Sequence, residues 1–254
     1  TIDWKIYGRS DKLFIKIFEH QADLTVHLLI DASNSMSYGD AVARKPRFTR
    51  SKTNPDERRS KYDYACSLAA AIAFLITKQN DRASVAMAQK GLIEFTPPGS
   101  SMGHLSGILD VMERVKPKGK AGLAEAIREL LTRTRRLGLV VVFSDLLEVR
   151  EEILKALVMG IHRGGEVILF HVLHADELNL PPVENGLFVD SETGERLRVN
   201  VDDIRKAYAA ELKTYLDGWS RYSRSAGVDY SLCSTADSYY RVLERYLTGR
   251  AVRT

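Results

Sequence analysis

Cysteine is scarce, with two residues in a chain of 254. That excludes a small secreted scaffold built on disulfides. Cys66 and Cys233 lie in apolar surroundings without metal-ligand spacing and are expected to be free thiols of a reducing, cytoplasmic compartment. Long apolar runs are missing too: nothing approaches the roughly 18 residues of a membrane helix, so no membrane segment is expected in this chain. The longest runs, Leu139–Phe143 and Val167–Val172, have the length of strands. No signal-peptide pattern opens the chain, and Thr1-Ile2-Asp3-Trp4 begins without an initiator Met, as expected of a fragment whose upstream segment is truncated. Sequences of the form Walker A, C-x-x-C and H-E-x-x-H are lacking, which removes the enzyme classes that depend on them. The net charge of +4 is too small by itself to argue for nucleic acid.

What is present is an alternation of apolar strands with amphipathic helices. A strand is expected at Leu13–Phe18 and another at Leu24–Ile30, ending on Asp31. The Ala-rich stretch Tyr62–Lys78 has helical periodicity. Ala83–Ala88 and Leu92–Phe95 predict a hairpin about Lys90-Gly91, closed by the breaker Pro97-Pro98-Gly99. Helices are expected at Met102–Val115 and Leu123–Arg135, joined by the loop Pro117–Gly122. Strands at Leu139–Phe143 and Val167–Leu173 then flank a helix at Ile153–His162. A long helix at Ile204–Ala226, a strand at Tyr230–Cys233 and a helix at Tyr239–Leu247 complete the chain. Such an order predicts an α/β fold in three layers, with a mainly parallel central sheet flanked by helices. Residues 1–23 are assigned to an N-terminal strand arm and 24–254 to the main domain. That domain carries a basic insert at 38–60 and a hairpin excursion at 181–200, turning at Glu192-Thr193-Gly194-Glu195.

Two of the buried strands end on a carboxylate, in Leu28-Leu29-Ile30-Asp31 and Val142-Phe143-Ser144-Asp145. Ligands of open α/β sheets bind beyond the carboxyl ends of strands, where strand order reverses. A carboxylate at that edge needs a cation or hydrogen bonds to offset its desolvation. The first strand runs on as Asp31-Ala32-Ser33-Asn34-Ser35, so alternate residues offer hard oxygen ligands suited to Mg²⁺ or Mn²⁺. Capping of the following turn by Asp and Ser is the plainer alternative.

Asp31-Ala32-Ser33-Asn34-Ser35-Met36 resembles the metal-ion-dependent adhesion site of von Willebrand factor A domains. Ile2-Asp3-Trp4-Lys5, the run from Lys12 to Ala22, Lys61-Tyr62-Asp63-Tyr64-Ala65, Ser144-Asp145-Leu146, Asp176-Glu177-Leu178 and Glu192-Thr193-Gly194-Glu195 are similar to bacterial proteins of domain-of-unknown-function family 58. The resemblance implies a Rossmann-like von Willebrand factor A fold and a protein-binding, non-enzymatic role beside a MoxR-type AAA+ ATPase, chaperone-like, in complex assembly or cofactor insertion. It implies that Ser33 and Ser35 ligate Mg²⁺ or Mn²⁺ directly, that Asp31 and Asp145 bind it directly or through water, and that a partner's Asp or Glu carboxylate completes the shell. One position departs: where the family has a threonine ligand, Gly119-Lys120-Ala121-Gly122-Leu123 places Ala121, which has no oxygen, beside the cationic Lys120. Lys120 and Ala121 are candidate partner-binding residues all the same.

The insert contributes Arg44, Arg47 and Arg50 as candidate contacts to an acidic partner, with a solvated loop as the alternative. Phe48 is the lone aromatic at its centre, so base stacking and nucleic-acid binding are disfavoured. A Mg²⁺-dependent phosphatase using Asp31 as nucleophile is the enzymatic alternative; such enzymes want a second Asp two residues on, and Ser33 stands there. His171 and His174 are read as core or supporting residues on opposite faces of a strand rather than as zinc ligands.

Overall fold

The computed structural model describes residues 24–39, 59–135, 137–190 and 194–244. The expected strand at Leu13–Phe18, most of the basic insert and the last residues of the terminal helix lie outside them. A central sheet of six strands has the order β3-β2-β1-β4-β5-β8. Its members are β1 (Thr25–Asp31), β2 (Arg82–Ala88), β3 (Leu92–Gly99), β4 (Leu139–Ser144), β5 (Glu166–Leu173) and β8 (Asp229–Ser234). All neighbours run parallel except β2 and β3, which form an edge hairpin. The remaining strands, β6 (Asn185–Val189) and β7 (Arg196–Asn200), pair antiparallel as a separate ribbon. The fold is therefore the three-layer α/β class with a mainly parallel sheet.

Successive side chains of a strand point to opposite faces, and here both faces are dry. On one side Leu28, Ile30, Val85, Val141, Phe143 and Phe170 pack beneath α1 (Lys61–Lys78) and α2 (Met102–Arg114). On the other, Leu29, Ala86, Val140, Val142 and Leu169 meet α3 (Leu123–Arg133), α4 (Arg150–His162) and Trp219 of α6 (Val201–Ser225). Burial on both sides is why β4 reads as an unbroken apolar run rather than an alternating one. A short α5 (Ala175–Leu178) follows β5.

Two local expectations are corrected. Pro97-Pro98-Gly99 does not end the second strand of the hairpin; β3 runs through it to Gly99. The strand is at the sheet's edge, where a residue without an N–H leaves no ladder bond broken, and the register slips between Ala83 and Val85 opposite the prolines. His174 does not share a strand with His171: β5 stops at Leu173 and His174 caps α5, its Nδ1 accepting from the Asp176 N–H at 3.2 Å.

The order of strands puts a switch point between β1 and β4. From β1 the chain moves to β2 and β3 on one side, then crosses back to β4 on the other. The turn into β4 is tight: Gly138 has φ +55°, and a Cβ there would run into the carbonyl oxygen of Thr25. Gly138→Ala is expected to cost about 2 kcal/mol or more through backbone strain and overlap, read as a lowered midpoint in urea unfolding followed by circular dichroism.

Candidate functional site

Asp31 and Asp145 emerge side by side at the switch point, because β1 and β4 pair in parallel with Ile30 opposite Phe143. Asp31 is buried, and its carboxylate is held from two directions. Ser144 Oγ–H donates to Oδ2 at 2.6 Å and the Ser33 N–H donates to Oδ1 at 2.9 Å. Ser33 and Ser35 lie on a turn that enters a short 3-10 helix, Asn34–Ser37, and their hydroxyl oxygens are 3.1 Å apart. The loop after α2 is stitched to this turn: Lys118 N–H donates to the Ala32 carbonyl at 3.0 Å and Asn34 N–H to the Gly119 carbonyl at 2.9 Å. Lys120 and Ala121 thus come to the rim, lining a depression that also takes in Ser35, Leu147 and Glu148.

The electrostatics are dominated by burial. Desolvation raises the Asp31 carboxyl to about 7, the nearby Asp145 adds to the rise, and the bonds from Ser144 and Ser33 offset part of it. No described cation forms an ion pair with Asp31. Asp145 has a different neighbourhood: Lys61 Nζ donates to its Oδ2 at 2.8 Å and to Glu177 Oε1 at 2.7 Å. Burial alone would lower the Lys61 ammonium, but the two carboxylates outweigh it and its pKa stands above the usual lysine value. Behind Asp145, His171 is fully enclosed. Its Nε2 lies 3.0 Å from the Asp145 carbonyl and its Nδ1 2.8 Å from the Tyr230 hydroxyl. A carbonyl only accepts, so Nε2 carries the proton and Nδ1 receives the tyrosine's. Burial depresses the imidazole to about 4, against a partial opposing effect of Asp145.

Backbone strain marks the same spot. Leu146, directly after Asp145, has φ +56°, a left-handed conformation rare outside glycine. It is held there because its N–H donates to Ser144 Oγ at 3.0 Å and its carbonyl accepts from Tyr215 of α6 at 2.5 Å. Strain of this kind costs on the order of 1–3 kcal/mol and persists only where the surroundings over-determine it.

The donor set fits a small hard cation at its inner part. Two neighbouring ligands of an octahedral ion at about 2.1 Å are about 3 Å apart, close to the separation of the Ser33 and Ser35 oxygens. Asp31 next to them is a buried carboxylate with no ion-pair partner among the described residues. The outer part is less open, since Asp145 is shared with Lys61 and Ala121 brings no oxygen. Asp31, Ser33, Ser35 and Asp145, the four ligands expected from the sequence, are brought to one place, with Lys120 and Ala121 beside them. Arg44, Arg47 and Arg50 lie outside the described residues. Sequence reasoning gave His171 a core or supporting role and passed over Lys61 and Glu177 as members of the site. A lysine opening a helix carries no periodic signal, and its partners are 84 and 116 residues away.

Residues 1–215 match the family described as protein of unknown function DUF58. The chain belongs to this family. The DUF58 match spans both strand-end carboxylates, the serine loop, Lys61 and Glu177. An uncharacterized protein of Mycobacterium tuberculosis strain H37Rv is 23% identical over 254 residues, covering 98% of this chain and 74% of the relative. Among solved structures, a conserved hypothetical protein BatB from Bacteroides thetaiotaomicron superposes with a TM-score of 0.55 at 17% identity, covering 90% of this chain and 98% of that one. An aerotolerance-related membrane protein from Bacteroides fragilis gives 0.54 at 18%, over 87% and 97%. These likenesses show the fold of this DUF58 chain. No helix among its described residues is long and apolar enough to cross a membrane.

Asp31 and His171 pull stability in opposite directions as pH changes. Asp31 binds a proton more tightly folded than unfolded, so its contribution is complete at low pH and lost as pH rises toward about 7. His171 does the reverse: its contribution is complete above 6.5 and lost as pH falls through about 4. Between those limits the two oppose each other. In Asp31→Asn, studied in EDTA, the His171 effect is left alone. The unfolding free energy should then climb with pH from about 4.5 to 6.5, gaining up to about 1.4 kcal/mol per pH unit more than in the native protein; identical slopes would refute the assignment.

Proposed function

We propose that this DUF58 chain is a protein-interaction module whose recognition edge is the switch point between β1 and β4, and that it is not an enzyme. The observation that carries this reading is the gathering of Asp31, Ser33 and Ser35 beneath a rim of exposed apolar side chains. Leu147 and Val149, just past Asp145, are 60% and 65% exposed. Leu147 and Ser35 also line a groove of about 420 Å³ whose far wall is the ribbon residues Leu187, Phe188 and Val189. Large apolar side chains around a few convergent polar groups are what a protein partner's contact surface requires.

Ser33 and Ser35 would hold a Mg²⁺ or Mn²⁺ through their hydroxyls, with Asp31 and Asp145 bound to it directly or through water. The ion, when bound, would offer an open position to a carboxylate oxygen of the partner. One ion–carboxylate contact is not selective, so Leu147, Val149 and the ribbon supply the specificity. The family resemblance supports a MoxR-type AAA+ ATPase as the partner, in complex assembly or cofactor insertion.

A phosphatase-like role for Asp31 has less support. Both of its oxygens accept hydrogen bonds, its carboxyl is raised toward neutrality, and the nearby imidazole of His171 is engaged at both nitrogens. A nucleophile needs a free oxygen and a base within reach.

Calorimetric titration with MnCl₂ and MgCl₂ tests the cation. The chain should bind one ion, Ser33→Ala should abolish binding, and Ala121→Thr, which adds an oxygen at the rim, should tighten it on the order of tenfold. Absence of binding in both the native chain and Ala121→Thr would reject the cation. Capture of a MoxR-type ATPase that is lost in Leu147→Asp would support the interaction surface, and capture unaffected by that change would count against it.

A further inference from the structure

Lys61 stands at a place where a lysine is least expected. It is the first residue of α1, at the positive end of the helix dipole, which disfavours a cation. It is also 1% exposed, and burying an ammonium is costly unless it is paired. Three groups close around it: Asp145 Oδ2 at 2.8 Å, Glu177 Oε1 at 2.7 Å and the Tyr38 ring, whose centroid is 5.9 Å from Nζ. Lys61 is not one of the apolar residues that make up the two cores.

We infer that Lys61 is a resident counter-ion of the switch-point site, competing with a divalent cation for Asp145 and thereby setting how tightly that cation is held. The inference rests on the cation reading of Ser33, Ser35 and Asp31. Charge decides the direction. Among the described residues, Lys61 is the one buried ammonium near the buried pair Asp31 and Asp145, with Lys120 at the rim, so a divalent ion seated on Ser33, Ser35 and Asp31 has Asp145 as its remaining carboxylate. It then meets an Asp145 whose Oδ2 is already paired with a positive charge. Two positive centres sharing one carboxylate repel each other, and at the effective dielectric of a partly buried site that repulsion is large enough to change an affinity by an order of magnitude. Glu177 completes the arrangement from the far side. Its other oxygen accepts from the His174 N–H at 2.7 Å, so the acceptor that keeps Lys61 in place is itself fixed.

The test is titration with MnCl₂ on the native chain, Lys61→Met, Lys61→Gln and Lys61→Arg, with folding checked by circular dichroism. Lys61→Met removes the charge and keeps the aliphatic stem. Lys61→Gln keeps a hydrogen-bond donor for Asp145 or Glu177 and guards against a collapse of the site. Both are expected to bind Mn²⁺ about tenfold more tightly than the native chain or beyond, whereas Lys61→Arg, which retains the charge, should gain nothing. Ser33→Ala added to Lys61→Gln should remove the gained binding, which places it at this site. Native binding with no gain in the folded, neutral variants would overturn the role of Lys61 and leave the cation reading intact. A gain of the same size in Lys61→Arg would also overturn it, since shape rather than charge would then be responsible. Failure of every folded variant and of the native chain to bind Mn²⁺ would remove the cation reading, and this inference with it.

Discussion

Everything at the functional edge follows from placing two carboxylates at the dry ends of neighbouring strands. A buried charge cannot be left alone, and Asp31 and Asp145 resolve the difficulty in different ways. Asp31 is raised toward neutrality and takes hydrogen bonds from Ser144 and the Ser33 backbone. Asp145 keeps an ammonium against it. From these two solutions come the other local facts. The first turn of α1 must deliver Lys61, α5 must deliver Glu177, and His171 must sit neutral beneath the Asp145 carbonyl.

The sheet supplies the rigidity that makes such placement possible. Its central strands are covered on both faces, so the ends of β1 and β4 are fixed by two apolar layers rather than by the loops they feed. The loops can then vary without moving the carboxylates. The ribbon of β6 and β7 is an instance: it adds an exposed apolar wall near Ser35 while contributing nothing to the central sheet.

Much of this was legible in the order of residues, and what was not has a physical cause. Apolar runs ending on Asp31 and Ser144-Asp145 announced both the parallel sheet and the edge where its two acids meet, because a strand buried on two faces needs continuous hydrophobicity and tolerates acid only at its end. The serine spacing announced which oxygens would converge. Lys61 could not be read in the same way: the sequence shows a lysine before an Ala-rich helix, the ordinary look of a solvated position. Only folding brings Asp145 and Glu177 to it. Pro97 and Pro98 misled for the opposite reason. Their local chemistry breaks an interior strand, and whether a strand lies at an edge is a property of the whole sheet.

Leu146 ties the site to a distant helix. Its left-handed backbone is kept in place by Ser144 on one side and by the Tyr215 hydroxyl of α6 on the other. Its side chain is also part of the core, 1% exposed among the residues packed under α3, α4 and α6, so glycine here would relax the main chain and leave a cavity in its place. One leucine therefore serves two ends: its side chain anchors the core while its strained main chain fixes the turn that follows Asp145.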